Sequence, residues 1–106
     1  MDFKRYTQSE IVRILGERFK DYRMMANLTQ VELAEKAGVS RLTVRNFETG
    51  KARNITMGNL IGLLRAVDLL DGLDGLIPEI PVSPYLLSMR DERKRKRIRH
   101  TKYDEQ

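Results

Sequence analysis

Apolar residues recur at helical spacing along the first two thirds of the chain, and short polar segments separate the repeats. Thr7 to Glu10 has the capping-box pattern, in which a threonine hydroxyl and a glutamate carboxylate each satisfy a free N–H at a helix start. A first helix is predicted from this box to about Met25, and Asn27 supplies a left-handed end. Its predicted apolar stripe consists of Ile11, Leu15, Phe19, Tyr22 and Met25.

Two shorter helices follow within 25 residues. A second capping box at Thr29–Glu32 predicts a helix that ends at Gly38. A third helix is predicted over 41–48, because Ser40 fits its N-cap and Gly50 fits its C-terminal end. The second and third helices are therefore joined by three residues only.

The next apolar run predicts a fourth helix and at most a short fifth one. Thr56 caps the fourth helix, and the segment 71–75 allows only one short turn of helix because it contains two glycines. No stretch alternates between apolar and polar residues as a strand would. The predicted fold class is all-α: a compact bundle of about five short helices with a disordered basic C-terminal tail.

Prolines and a change of charge divide the chain into three parts. Residues 1–77 form the predicted helical domain, 78–89 a proline-containing extension, and 90–106 a flexible basic tail. Ser83-Pro84 could start another short helix within the extension. From Arg93 onward the run RKRKRIR has no apolar face.

Composition excludes several classes of function. The 106 residues contain no cysteine and one histidine, His100, so the sequence predicts no metal site and no histidine- or cysteine-based catalytic set. Neither a glycine-rich phosphate loop nor any cofactor motif is present. No apolar run approaches the length of a membrane span. We expect a soluble cytoplasmic protein that is not an enzyme and needs no cofactor.

The distribution of charge favours a nucleic-acid partner. The net charge is +5, but residues 1–89 carry a net charge of only +1 and residues 90–106 carry +4. Between residues 41 and 53 one carboxylate, Glu48, opposes four basic residues: Arg41, Arg45, Lys51 and Arg53. The third helix and the loop after it are therefore predicted to present a basic surface.

Residues 28–51, LTQVELAEKAGVSRLTVRNFETGK, have the arrangement of a helix-turn-helix. In this stretch the chain resembles the phage-repressor and Cro-type (XRE family) helix-turn-helix proteins, and the similarity extends over about residues 11–70. It includes Gln30 at the start of the second helix, Gly38 in the turn, and the ending Glu48-x-Gly50-Lys51. The resemblance implies a lambda-repressor-like fold that binds double-stranded DNA. It also implies a cytoplasmic protein of bacterial or phage origin, which is associated with the nucleoid when it is bound to DNA.

The resemblance also implies roles for individual residues. The base-contacting positions would be Arg41, Leu42, Arg45 and Asn46, although Leu42 replaces a residue that is usually polar. An ion pair between the first and third helices would join Arg23 and Glu48. Contacts to the DNA backbone would come from Gln30, Ser40, Thr43, Lys51, Arg53 and Asn54.

The stretch 60–89 contains 17 apolar residues in 30, more than one closing helix needs. Part of this surface is predicted to form a homodimer interface, which would place two reading helices on an inverted repeat. The alternative is that the segment folds back and completes a monomer core. The predicted interface residues are Leu69, Leu70, Leu73, Leu76, Ile77 and Ile80.

Two questions stay open at the level of sequence. The basic tail fits a solvated segment, a non-specific DNA arm or a partner-docking element. The overall layout resembles HipB-type antitoxins that accompany HipA-like kinase toxins, so the predicted function is a dimeric repressor that is also an antitoxin. The alternative is a phage or chromosomal regulator with no toxin partner.

Overall fold

The computed structural model describes residues 1–81 together with Tyr85, Ser88, Met89, Asp91 and Glu92. Residues 1–81 contain four α-helices and two short 3-10 turns, and no strand, and the five residues described beyond them are helical. The helices are α1 (Gln8–Met25), α2 (Gln30–Ala37), α3 (Arg41–Thr49) and α4 (Met57–Ala66). The predicted all-α class and its helix-turn-helix are confirmed, and the expected short fifth helix is a 3-10 turn at Leu70–Leu73.

The helix boundaries follow from the capping residues. The Thr7 hydroxyl accepts a hydrogen bond from the Glu10 N–H at 3.2 Å, and the Glu10 carboxylate accepts one from the Thr7 N–H at 3.3 Å. Thr29 and Glu32 form the same reciprocal pair at the start of α2. Both predicted capping boxes are therefore confirmed. At their C-terminal ends, α1, α2 and α3 stop where the chain turns with positive φ, at Asn27, Gly38 and Gly50.

The core lies where all four helices meet. Leu33, Val44 and Leu63 are its largest fully buried side chains, and the Phe19 and Phe47 rings pack with their centroids 5.7 Å apart. The stripe predicted for α1 is wrong at its C-terminal end, because Tyr22 and Met25 are 45% and 78% exposed. The core-facing residue of that last turn is Arg23, whose charge is neutralised by a carboxylate from α3.

Two glycines let pairs of elements approach backbone to backbone. A Cβ atom on Gly16 of α1 would overlap the carbonyl oxygen of Phe47 in α3. A Cβ atom on Gly62 of α4 would lie 2.6 Å from the carbonyl oxygen of Ala37, the last residue of α2. Consequently α1 packs closely on α3, and α4 packs closely on the end of α2.

The N-terminal residues extend the bundle. Asp2 caps a 3-10 turn at Phe3–Arg5, and the Arg18 guanidinium of α1 lies 5.5 Å from the centre of the Phe3 ring. This contact ties the first residues to α1 at a position that the apolar spacing did not indicate.

Contacts along the chain define one compact unit, Met1–Leu73, and a second unit that begins at Asp74. In the second unit Leu76, Ile77 and Ile80 are exposed. The start of the helix expected at Ser83-Pro84 and the basic run from Arg93 lie outside the described residues. None of the helices described is both long enough and apolar enough to cross a membrane.

Candidate nucleic-acid interface

The turn between α2 and α3 is built from three residues with distinct tasks. Gly38 adopts φ of 73°, a left-handed conformation that its missing side chain permits. The Val39 N–H donates a hydrogen bond to the Ala34 carbonyl at 3.1 Å, and the Val39 side chain packs against the core. Ser40 accepts the Thr43 N–H at 3.0 Å and starts α3. The direction of α3 is therefore fixed at its first residue.

Helix α3 has one buried and one solvent-facing side. Val44, Phe47 and Glu48 are buried against the bundle. On the other side Arg41 and Arg45 are exposed, Leu42 is 61% exposed and Asn46 is half-buried. These four positions fall within about 140° of the helix circumference because successive residues are about 100° apart. The structure thus brings the four candidate base-contacting residues to one side of one helix.

The candidate backbone-contacting residues border this side. Ser40, Lys51, Arg53 and Asn54 are exposed, and Thr43 is half-buried with its hydroxyl 2.8 Å from that of Ser40. The Ala52 N–H donates to the Asn46 carbonyl at 2.9 Å, so the loop after α3 folds back along the helix. Lys51 and Arg53 are the sequence neighbours of Ala52, so this hydrogen bond holds both basic residues close to α3.

A shallow cleft of about 230 Å³ separates α3 from the start of α4. Its lining is mostly polar and includes two residues that the sequence did not single out for binding, Thr56 and Asn59. Thr56 was predicted only as a helix cap, and it does accept the Asn59 N–H at 3.2 Å. The other lining residues are Thr43, Asn46, Phe47, Ala52, Asn54 and Ile55.

Glu48, the one carboxylate of this region, is buried and paired. Arg23 donates to it twice, from Nε to Oε2 at 2.7 Å and from Nη2 to Oε1 at 2.9 Å. Arg23 Nη1 also donates to the Leu28 carbonyl at 2.7 Å. The hydrogen bond with Glu48 raises the pKa of Arg23, so the guanidinium stays charged. Because the Glu48 carboxylate is buried and paired with Arg23, the exposed charges of α3 and the following loop are all positive.

Gln30, expected to contact a DNA phosphate, is also engaged inside the protein. It is the first residue of α2 and half-buried, and its Nε2 donates to Glu48 Oε1 at 3.2 Å. Sequence reasoning missed this bond. No spacing rule connects two residues that lie 18 positions apart on different helices.

One further basic residue lies beside the interface. The side-chain stem of Arg13, in α1, approaches Gly50 so closely that a Cβ atom there would lie 3.1 Å from Arg13 Cγ. Its guanidinium pairs with Glu17 at 2.8 Å, and both side chains are at least half exposed. No pattern in the sequence indicated this position of Arg13, because the contact depends on how α1 packs on α3.

Comparisons with known proteins agree with this geometry. A helix-turn-helix family model matches residues 19–69. Control protein C.SmaI of Serratia marcescens is 39% identical over 59 residues, which are 56% of this chain and 69% of that protein. The chain therefore belongs to the Cro and phage-repressor type of helix-turn-helix proteins, and it is a DNA-binding transcription regulator. The resemblance seen in residues 28–51 is confirmed.

The six residues predicted for a dimer interface differ in exposure. Leu69, Leu70 and Leu73 are half-buried in the first compact unit. Leu76, Ile77 and Ile80 belong to the second unit and are 58%, 83% and 63% exposed. Among the described residues, no group of three His, Cys, Asp or Glu side chains is placed to hold a metal ion.

Proposed function

We propose that the protein is a sequence-specific repressor that binds an inverted-repeat operator as a dimer, with α3 in the major groove. The observation that carries this proposal is the solvent-facing side of α3. It presents two arginines, and the only carboxylate of the helix is buried and neutralised by Arg23. A helix with this charge arrangement suits a groove lined by phosphates.

The residue types on α3 match different base edges. Arg41 and Arg45 can each form two hydrogen bonds with a guanine, and Asn46 can do the same with an adenine. Leu42 offers only an apolar contact, which suits a thymine methyl group. Each half-site would then be read by three hydrogen-bonding side chains and one apolar one.

Contacts to the sugar-phosphate backbone would fix the position of α3 in the groove. Lys51 and Arg53 supply charge from the loop after α3, and Asn54, Ser40 and Thr43 supply polar groups near the two ends of the helix. Gln30 would contribute at the start of α2, where the first N–H groups of a helix attract an anion.

The test starts from DNA that the protein itself selects from a randomised duplex pool. Arg45→Ala should weaken binding to the selected site by about 1–3 kcal/mol and relax the base preference at one position of each half-site. Arg41→Ala should act the same way at another position. Arg53→Ala is the matched control, since losing a phosphate contact weakens all sequences similarly. An Arg45 variant that selects the same bases with parental affinity would refute this assignment of the reading helix.

The exposed apolar residues of the second unit support the dimer. Leu76, Ile77 and Ile80 lie within five residues of one another, and such a cluster is usually covered by a partner. We infer that a second copy covers them, together with parts of Leu69, Leu70 and Leu73. Two-fold symmetry of the dimer would then match the symmetry of an inverted repeat.

The second candidate function is an antitoxin that also represses its own operon. It is favoured by the exposed apolar cluster at 76–80, which is followed in sequence by a run of basic residues. The name of the Serratia marcescens relative, a control protein, supports the alternative without a toxin. If a HipA-like kinase is encoded beside the gene, co-purification of the two full-length proteins decides between these functions. Failure to associate would leave a regulator with no toxin partner.

A further inference from the structure

Leu42 is the apolar residue on the solvent-facing side of α3. It is the second residue of the helix and 61% exposed, whereas Val44 and Phe47 are buried in the core. A single exposed leucine is common on protein surfaces, and what distinguishes Leu42 is its place among the candidate base-contacting residues. Its side chain therefore lies where the edge of a base pair would arrive.

The neighbours of Leu42 determine what can cover it. Around the circumference of α3, Leu42 lies between Arg45, about 60° away, and Asn46, about 40° away on the other side. An apolar protein surface placed over Leu42 would desolvate the exposed Arg45 guanidinium without supplying a counter-charge. The major groove of DNA combines an apolar group, the C5-methyl of a pyrimidine, with phosphates that neutralise arginine. The groove is thus the partner that suits both residues.

The hydroxyl groups beside Leu42 are partly occupied within α3. The Ser40 hydroxyl accepts the Thr43 N–H at 3.0 Å and lies 2.8 Å from the Thr43 hydroxyl, so one hydroxyl hydrogen of the pair is already used. The base edge in front of Leu42 is accordingly met mainly by an apolar surface, which recognises shape and forms no hydrogen bond.

We propose that Leu42 makes DNA binding sensitive to the methylation of cytosine at C5. The inference rests on the proposed function, because it assumes that α3 lies in the major groove. Thymine and 5-methylcytosine carry the same methyl group at the same edge, and they differ in the adjacent group, an acceptor in thymine and an amino donor in cytosine. Since leucine can bond to neither group, it distinguishes both bases from unmethylated cytosine by the methyl alone.

This property goes beyond a preference for thymine. A side chain that donated a hydrogen bond to the thymine O4 would reject 5-methylcytosine, because its donor would then face the cytosine amino group. With leucine at this position, methylation of a cytosine in an otherwise fixed sequence raises the affinity. Occupancy of the operator then depends on a modification of the DNA as well as on its sequence.

The experiment changes only methyl groups in a duplex that the parent protein has selected from a randomised pool. Deoxyuridine replaces thymine at one position of both half-sites at a time, which removes the C5-methyl and keeps every hydrogen-bonding group. At the position that Leu42 contacts, the parent should lose about tenfold to twentyfold in affinity, since one buried methyl group is worth about fourfold in each half-site.

A second pair of duplexes tests methylated cytosine directly. The two duplexes carry cytosine or 5-methylcytosine at that position of both half-sites, opposite guanine in each case. The parent should prefer the methylated duplex by about the same factor as it prefers thymine to deoxyuridine. Because the partner base is the same in both duplexes, the difference in affinity reports the methyl group alone.

Two variants of the full-length protein assign the effect to a residue. Leu42→Ala should lose both methyl preferences, and the position contacted by Leu42 is the one at which deoxyuridine weakens the parent but not this variant. The variant should stay folded, because Leu42 is exposed. Met25→Ala is the control and should keep both preferences, since Met25 is also an exposed apolar residue but lies in α1.

Equal binding of cytosine and 5-methylcytosine duplexes by the parent overturns the proposal and leaves the proposed function intact. Retention of the parental preference by Leu42→Ala also overturns it, because another side chain would then contact the methyl group. The measurements on the parent need no variant, so they test the proposal even if Leu42→Ala does not fold. A parent protein that prefers no sequence would refute the proposed function itself, so the two failures are distinguishable.

Discussion

The buried pair of Arg23 and Glu48 is a costly arrangement for two single residues. Their side chains are 11% and 1% exposed, and ions removed from water in this way are stable only while both partners remain. Arg23 occupies a core-facing position of α1 because its guanidinium satisfies Glu48 and, in addition, the Leu28 carbonyl. The pair thereby joins α1, the following loop and α3.

Glu48→Ala should lower the free energy of unfolding by about 3–5 kcal/mol, since Arg23 would keep a buried charge without its acceptor. Glu35→Ala, on an exposed position of α2, is the control and should change stability by about 0.5 kcal/mol or less. Chemical denaturation of the two variants measures both values. A loss equal to that of the Glu35 control would mean that the pair is solvated in solution.

At the scale of elements, the distance between α1 and α3 is set by the missing side chain of Gly16. Gly16→Ala should destabilise the protein by about 1–3 kcal/mol, because its Cβ would overlap the Phe47 carbonyl and push the helices apart. Gly58→Ala in α4 is the matched control: nothing lies within 4 Å of the added atom. It should stabilise by about 0.5 kcal/mol through better helix propensity. Thermal melts measure both shifts, and a Gly16→Ala variant that melts at or above the parental temperature would contradict the close approach.

The start of α2 should contribute to the dependence of stability on pH. Hydrogen bonds from Thr29, its backbone N–H first and its side chain second, lower the pKa of Glu32 below its ordinary value of 4.5. The unfolded chain then binds this proton more readily than the folded one, so the stabilisation is present above pH 4.5 and is lost as pH falls through the lowered pKa.

Glu32→Gln should therefore reduce the loss of melting temperature between about pH 7 and about pH 3 relative to the parent. Glu35→Gln, on the same helix but outside the capping box, provides the comparison. If both variants keep the parental difference, the capping box contributes nothing to the acid sensitivity.

The local signals in the sequence predicted the helix boundaries well and the packing between helices poorly. The capping boxes at Thr7 and Thr29 act within four residues, so the sequence pattern contains all the partners. The exposure of Tyr22 and Met25 depends on which of two overlapping stripes of α1 meets α3, and periodicity does not distinguish them. The contact of Gly16 with Phe47 and the bond of Gln30 to Glu48 arise only after the helices have packed.

The same division applies to the candidate interface. Arg41, Leu42, Arg45 and Asn46 could be assigned from the family resemblance, because the motif that carries it is one continuous stretch of sequence. Arg13, Thr56 and Asn59 could not, since they come from other segments and reach the α3 region through the tertiary fold.

For the whole molecule, dimerisation should depend on the apolar residues after Leu73. Ile77→Asp places a charge on the most exposed of them, which a covered interface would have to desolvate, so the variant should sediment as a monomer and bind the selected duplex more weakly. Met25→Asp is the control, because Met25 is similarly exposed but lies in α1. Sedimentation of an Ile77→Asp dimer at parental concentrations would move the interface elsewhere.

The backbone contacts at Gly16 and Gly62 also bear on the thermodynamics of binding. They fix the spacing of α3 to α1, and of α2 to α4, by main-chain atoms, which have no alternative rotamers. Helix α3 accordingly has little conformational entropy to lose when DNA binds. The heat-capacity change of association should then match the surface buried between protein and DNA alone, without the additional negative contribution that coupled folding produces.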